Sequence, residues 1–247
     1  MAVGIGGEKL WLSPTVANNA SVFSDQSGNG NNGTAVGSIS TTADSGSGGS
    51  YAFNIDSGSK GVSLPIGIIN GQTAYAYGIW VKLAGGQLSS SNVFGGYVSN
   101  SADANPTFFV SGTDWLRVLG KSDSGSTVAY TIASPATASV WTHLLFNYSA
   151  ANGLRTYENG VLQNTYTAQL VTGRGTVDFA IGKTSSYSAT ICVADDARVY
   201  HRELSQAEIT HLATSRGILG PPGGLPANYD PFRNDRFDNK TFSGLRF

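Results

Sequence analysis

The chain has 247 residues with 15 Lys+Arg against 16 Asp+Glu, a net charge of −1, and only 13% charged residues. That balance leaves no electrostatic footprint for nucleic acid or an anionic membrane, and no apolar run reaches transmembrane length. A single cysteine, Cys192, excludes an intramolecular disulfide framework, and 32 glycines suit an all-β domain of many short strands and turns.

The N-terminus, MAVGIGGEKLWLSP, lacks a basic start followed by an apolar core, so it does not read as a secretory signal, and cytoplasmic synthesis is expected. KLWLS at 9–13 makes a first strand. DQSGNGNNG follows, with oxygen-bearing side chains at Asp25, Ser27, Asn29 and Asn31 and with Gly30, which partly matches the calcium-loop pattern D-x-[DN]-x-[DN]-G. No glutamate stands at the twelfth position, so it is not an EF-hand. Two readings stay open: a calcium site, or Asn-Gly pairs that supply positive-φ turn residues.

DSGSGGS at 44–50 is a loop, and YAFNIDSGSKGVSLP at 51–65 holds two strands. AYAYGIWVKL at 74–83 has Tyr75, Tyr77, Ile79 and Val81 on one parity and Trp80 on the other, which predicts a strand covered on both faces. Further strands are expected near 92–98, 106–110, 116–119 and 127–132, spaced as in a sandwich. Trp141–Tyr148 and Leu154–Glu158 form a hairpin, and Asn159-Gly160 is a two-residue turn of type I′ leading into Val161–Tyr166.

The stretch from Val177 to Leu212, VDFAIGKTSSYSATICVADDARVYHRELSQAEITHL, reads as strand, turn, strand and short helix. Val193, Ala197 and Val199 alternate with Asp196, Arg198 and Tyr200, the period of two that a sheet imposes. Asp195 falls on the apolar parity, so its carboxylate is expected to point inward and to need a partner. Ser205 and Glu208 form a capping box, Leu204 and Ile209 a hydrophobic staple, and Gly217 a helix stop.

From 217 the pattern changes. ILGPPGGLPANYDP excludes helix and sheet, and FRNDRFDNKTFSGLRF places Phe232, Phe237, Phe242 and Phe247 five residues apart. Neither a helix nor a strand puts that spacing on one face. Phenylalanines at regular intervals, with Arg233 and Arg236 between them, suit an extended arm laid across a protein partner or other copies of the chain. An arm folded back on its own sandwich and a loose tail are the alternatives.

DDARVYHRELSQAEITHL closely resembles the closing motif of laminin-G-like, concanavalin A-like jelly-roll domains. DQSGNGNNGT at 25–34 resembles their opening motif, and SVWTHLLFNYSAANGLRTYENGVL at 139–162 their central hairpin. The resemblance spans residues 10–215. It implies a two-sheet antiparallel jelly-roll sandwich, placed over 1–216 and closed by one short C-terminal helix, ahead of the extended arm over 217–247. It also implies that opening and closing motifs meet at one sandwich edge, so that a bound calcium would take Asp25, Asn29 and Asp195. Sugar binding is the natural function of such domains, with Tyr97, Trp115 and Tyr187 as aromatic candidates and no sugar contact assigned.

Catalytic chemistry lacks support in the residues. The four glutamates, Glu8, Glu158, Glu203 and Glu208, are isolated, and Asp195 and Asp196, adjacent on a strand, are expected to face opposite sides. His143, His201 and His211 offer no zinc spacing, and Cys192 reads as a structural strand residue. The expected function is a non-catalytic structural or adhesive component of a larger assembly. A bacteriophage virion surface protein, head decoration or fibre-like, is the leading expectation, anchored on a capsid or virion protein and touching surface glycans. A free-standing lectin and a polysaccharide-active enzyme are the alternatives.

Overall fold

The computed structural model describes residues 5–14, 20–43, 51–85, 91–97, 104–111, 115–121, 127–131, 138–166 and 178–214. The strands in the N-terminal half are β1 (Glu8–Leu12), β2 (Val22–Phe23), β3 (Gly33–Val36), β4 (Ser40–Ala43), β5 (Tyr51–Ile55), β6 (Gly61–Leu64) and β7 (Ala74–Leu83). Next come β8 (Ser91–Tyr97), β9 (Ala104–Ser111), β10 (Trp115–Lys121), β11 (Thr127–Thr131), β12 (Trp141–Ser149), β13 (Gly153–Glu158) and β14 (Val161–Tyr166). The series closes with β15 (Phe179–Gly182), β16 (Ser188–Ala189), β17 (Cys192–Tyr200) and the helix α1 (Gln206–Thr214).

These strands form two sheets packed face to face. One runs β14-β13-β12-β7-β17-β5-β4, with β1 also on β17; the other runs β11-β10-β9-β8-β15-β6-β3-β2, with β16 on β8. The two strands of 51–65 therefore part company, β5 entering the first sheet and β6 the second. All pairings are antiparallel except that of β16 with β8. The all-β two-sheet jelly-roll sandwich with one short helix is as expected from the sequence, whereas the arm at 217–247 lies outside the described residues.

Inward-facing aromatics fill the space between the sheets. Tyr77 meets Phe179 and Phe94 edge-on at 5.1 and 5.6 Å, and Phe108 stacks on Phe146 at 3.9 Å. Such contacts add about 0.5–1.5 kcal/mol per pair beyond burial. The Tyr77 hydroxyl donates to the Pro106 carbonyl, so its polar end is satisfied inside the core.

The helix explains why β7 is apolar on both faces. Ile209 and Leu212 pack with Ala76, Leu145, Tyr157, Tyr200 and Leu204 on the outer face of the first sheet, and Trp80 Nε1 donates to Leu212 O at 3.1 Å. The capping box forms as expected: Glu208 N donates to Ser205 Oγ at 3.3 Å, and Ser205 N donates to Glu208 Oε2 at 2.9 Å. Asn147 fixes the approach to the helix by exchanging two 2.9 Å bonds with the Leu204 backbone. The Asn159-Gly160 turn has φ of 49° and 79°, the double positive φ of type I′.

One expectation about β17 is corrected. Its core-facing residues are Cys192 and Ala194, then Ala197 and Val199, so the alternation slips by one residue between the two pairs. A β-bulge lies there, with Asp196 at φ 53° and the register to β7 broken between Asp195 and Arg198. An extra residue in one strand reverses the parity that follows it. Asp195 therefore stands on the helix-covered face opposite Trp80, and Val193 lies off the core parity. Asp195 and Asp196 share a face rather than facing opposite sides.

Candidate functional site

Three places could carry function: the junction of opening and closing motifs, the helix-covered face, and the outer face of the second sheet. At the junction β1 stands between the opening loop and β17. β17 pairs with β5 over Cys192–Ala194 and with β1 over Ala197–Tyr200, so the bulge sits where one edge neighbour gives way to the other. The two carboxylates fill that gap. Asp195 Oδ1 accepts from Ser13 Oγ at 2.8 Å and from Asp196 N at 2.7 Å. Asp196 accepts from Trp11 Nε1 at 2.5 Å and from Arg198 Nε and Nη2 at 2.9 and 3.1 Å.

Arg198 is itself buried, lies 4.2 Å from the Trp11 ring and reaches Glu8 at 3.4 Å. Burial is the largest single influence and works against its charge, but Asp196, Tyr200 and Glu8 together outweigh it and raise its pKa overall. Beside this cluster His143 is buried, and loss of water lowers its pKa to about 4 despite the opposing pull of Asp196. These groups lock the first strand to the last.

The opening loop wraps a carboxylate. Asp25 accepts from the backbone N–H of Trp11 and Ser27 at 2.9 Å, from Asn31 N at 3.0 Å and from Ser27 Oγ at 2.8 Å. Asn29 Nδ2 donates to Glu8 O at 2.8 Å and Asn31 Nδ2 to Lys9 O, closing the loop onto β1. Three backbone N–H groups converging on one carboxylate suit an anion, whereas calcium needs converging lone pairs. Among the described residues no three of His, Cys, Asp or Glu are placed to hold a metal ion. Asp25, Asn29 and Asp195 do not fit calcium as a set.

The outer face of the second sheet is different. Phe179 and Ile181 point into the core, so Asp178 and Ala180 point out, joined by Ser63 opposite Ala180 and by Val36 two strands away. Above them the chain turns at Gly182 and forms a tight turn, with Thr184 N donating to Tyr187 O at 3.1 Å and Tyr187 N to Thr184 Oγ1 at 3.0 Å. Lys183 Nζ donates to the Thr184 and Tyr187 carbonyls, and Ser185 N donates to Asp178 Oδ2 at 2.9 Å. Beside this turn opens a cleft of about 260 Å³ lined by Val36, Ser63, Asp178, Ala180, Lys183, Thr184 and Ser185.

The turn is held to the sheet by a second polar gap-filler. The edge of β8 is shared, β15 taking Phe94 and Gly95 and β16 taking Ser91 and Asn92. Buried Asn92 bridges the change, donating to Gly182 O at 2.7 Å and accepting from Thr107 Oγ1. Tyr187 anchors the far side by meeting Phe109 edge-on at 5.0 Å.

The cleft offers one carboxylate, one ammonium and three hydroxyls around a small apolar floor. That is the complement of a polyol: hydroxyl pairs to a carboxylate, ring oxygens to donors, C–H groups to Ala180 and Val36. Its volume suits one sugar ring, since pockets for larger organic ligands run to about 300–1,000 Å³. No sequence motif points to it, because its residues come from three strands and a turn. The available signals were single polar residues at outward positions between core residues, Ser63 between Val62 and Leu64, and Asp178 before Phe179.

Of the aromatic candidates, Tyr187 is half-buried against Phe109 rather than presented as a platform. The side chains of Tyr97 and Trp115 lie outside the described residues, as do Phe232, Arg233, Arg236, Phe237, Phe242 and Phe247. Among the described residues no helix is long and apolar enough to cross a membrane.

No curated protein matches the chain in sequence. Solved structures match its fold. Domain 4 of AbnA, a GH43 extracellular arabinanase from Geobacillus stearothermophilus in complex with arabinotriose, aligns with TM-score 0.63 at 21% identity over 86% of this chain and 100% of that one. The binding domain of Paraclostridial Mosquitocidal Protein 1 aligns with TM-score 0.65 at 12% identity, covering 85% of this chain and 52% of that one. Trypanosoma rangeli sialidase in complex with the inhibitor DANA aligns with TM-score 0.66 at 14% identity over 88% and 34%. The chain thus spans the whole arabinanase domain, about half of the toxin domain and about a third of the sialidase. The Laminin_G_3 family, described as the concanavalin A-like lectin/glucanases superfamily, matches residues 56–210. With more than half of its length so matched and both sheets in place, this chain belongs to the Laminin_G_3 family of concanavalin A-like domains.

Proposed function

We propose that the chain is a non-catalytic glycan-binding module that seats one sugar residue in the cleft over Ala180. The cleft carries this reading: a shallow, outward-facing site with Asp178, Lys183, Ser63, Thr184 and Ser185 arranged round an apolar floor. The fold supports it, since the similar arabinanase domain is in complex with arabinotriose and the similar botulinum neurotoxin DC binding domain is in complex with SialylT. Among the described residues Asp178 is the one carboxylate lining the cleft. Glycoside hydrolysis by the usual route uses two flanking carboxyl groups, which favours binding over cleavage.

No aromatic side chain is among the described residues lining the cleft. Binding therefore rests on hydrogen bonds worth about 0.5–1.5 kcal/mol each, and affinity for one site is expected near Kd of about 1 mM. The arm that would anchor a virion-surface component on a capsid protein, residues 217–247, lies outside the described residues.

The test is a titration of the 15N-labelled protein with arabino-oligosaccharides and sialylated oligosaccharides. Shifts at Ser63, Ala180 and Ser185 that weaken at least tenfold in Asp178→Asn support the site. Binding that maps elsewhere, or that ignores Asp178→Asn and Ser63→Val alike, overturns it. Release of reducing sugar during the titration would overturn the non-catalytic part.

A further inference from the structure

Lys183 and Lys60 stand at the corner of the second sheet where Gly182 pairs with Gly61, and the charge of each is already engaged. Lys183 Nζ donates to the carbonyls of Thr184 and Tyr187, so two of its three protons are spent on the turn that carries it. The negative ends of those carbonyls also screen the ammonium from whatever enters the cleft. Lys60, whose carbonyl accepts from Lys183 N at 3.0 Å, holds its own ammonium 2.7 Å from Asp56 Oδ1.

Asp178 is in the opposite condition. Its Oδ2 accepts from Ser185 N at 2.9 Å, and among the described residues no cation forms an ion pair with it. It therefore lines the cleft with acceptor capacity unspent and its charge uncompensated. Ser63 and Ser185 stand with it, and their hydroxyls can donate or accept. A carboxylate only accepts, so it matches ligand groups that donate. The hydroxyls of a sugar do; an ionised acid group does not.

We propose that the cleft selects neutral, hydroxyl-rich sugars against acidic ones, with Asp178 as the residue that sets the choice. The inference rests on the glycan-binding reading and narrows it to a substrate class. Two neighbouring hydroxyls of one ring donate to the Asp178 carboxylate, and a charged acceptor makes those bonds stronger than bonds between neutral groups. A uronate or sialate instead brings a second carboxylate into a cleft of about 260 Å³ where both lysines are engaged. Like charges about 5 Å apart at a protein surface repel enough to weaken binding by about tenfold. The repulsive element contributes to such selectivity as much as the attractive one.

The experiment titrates the full 15N-labelled chain with methyl arabinofuranoside, glucoside, galactoside and mannoside, each against its matching uronic acid. Each pair shares one ring and differs only in a hydroxymethyl or a carboxylate group. Shifts at Ser63, Ala180 and Ser185 are expected to give an affinity about tenfold higher for the neutral member of every pair that binds. In Asp178→Asn, which keeps an acceptor for Ser185 N, that ratio is expected to fall to about one. Lys183→Met is expected to speed amide exchange at Thr184 and Tyr187 and to leave the ratio unchanged. Three results overturn the selectivity while leaving the cleft as a glycan site: a uronic acid that binds as tightly as its neutral partner, a ratio that survives Asp178→Asn, or one that rises in Lys183→Met. Shifts at none of these residues with any of the sugars overturn the cleft itself, and this inference with it.

Discussion

Trp11 Nε1 donates to the Asp196 carboxylate, joining the first strand of the sandwich to the last. Asp196 also holds the buried guanidinium of Arg198. Removing one member of a buried, hydrogen-bonded ion pair leaves the other uncompensated, at a cost of about 3–5 kcal/mol. Asp196→Ala is expected to lose that much in urea unfolding. Removing both charges, Asp196→Asn (which tolerates the positive φ and can still accept from Trp11) with Arg198→Met, is expected to cost clearly less. A double variant as unstable as the single one would mean that the charge pair was not the source of the loss.

His143 makes stability depend on pH. Its folded pKa, lowered by burial to about 4, lies below the ordinary value of 6.5. Between these values the unfolded chain binds a proton that the folded chain refuses, so stability rises with pH. The contribution is therefore intact above about pH 6.5 and lost progressively as pH falls toward 4. The two and a half units correspond to about 3 kcal/mol. Chemical denaturation at pH 7 and at pH 4.5 should show His143→Gln losing much less stability than the parent between the two. Equal slopes in both proteins would place the pH dependence elsewhere.

The opening loop yields a metal-removal test. Its carboxylate, Asp25, is occupied by three backbone N–H groups and a hydroxyl. EDTA or millimolar calcium should leave Tm unchanged, and Asp25→Ala should cost about 1–3 kcal/mol through the amides it leaves unpaired. A rise in Tm with calcium that Asp25→Ala abolishes would restore the ion-binding reading.

Local rules made much of this fold legible. The type I′ turn at Asn159-Gly160, the capping box of Ser205 and Glu208, and the doubly covered strand around Trp80 each follow from residues close in sequence. What escaped depends on tertiary context. The bulge at Asp195 and Asp196 exists because β17 changes neighbour from β5 to β1 at that point, and no local period encodes such a handover. The cleft escaped for a related reason. Val36, Ser63 and Asp178 are brought together by strand order alone, and each is an ordinary outward residue in its own segment.

Gly160 tests how tightly the helix depends on the hairpin. Its φ of 79° lies in the left-handed region, where an L side chain is strained by roughly 1–2 kcal/mol. An added Cβ would also press on Ala213 of α1, 3.2 Å away. Gly160→Ala is therefore expected to destabilise by more than backbone strain alone, about 2–3 kcal/mol in all. Glycine at Ala213 separates the two causes, because it removes the side chain that the new methyl meets. If Gly160→Ala costs less in the Ala213→Gly background than in the parent, the hairpin turn and the helix are packed as one unit. If the cost is the same in both, strain at the turn accounts for all of it, and the helix rests on the sheet without sensing residue 160.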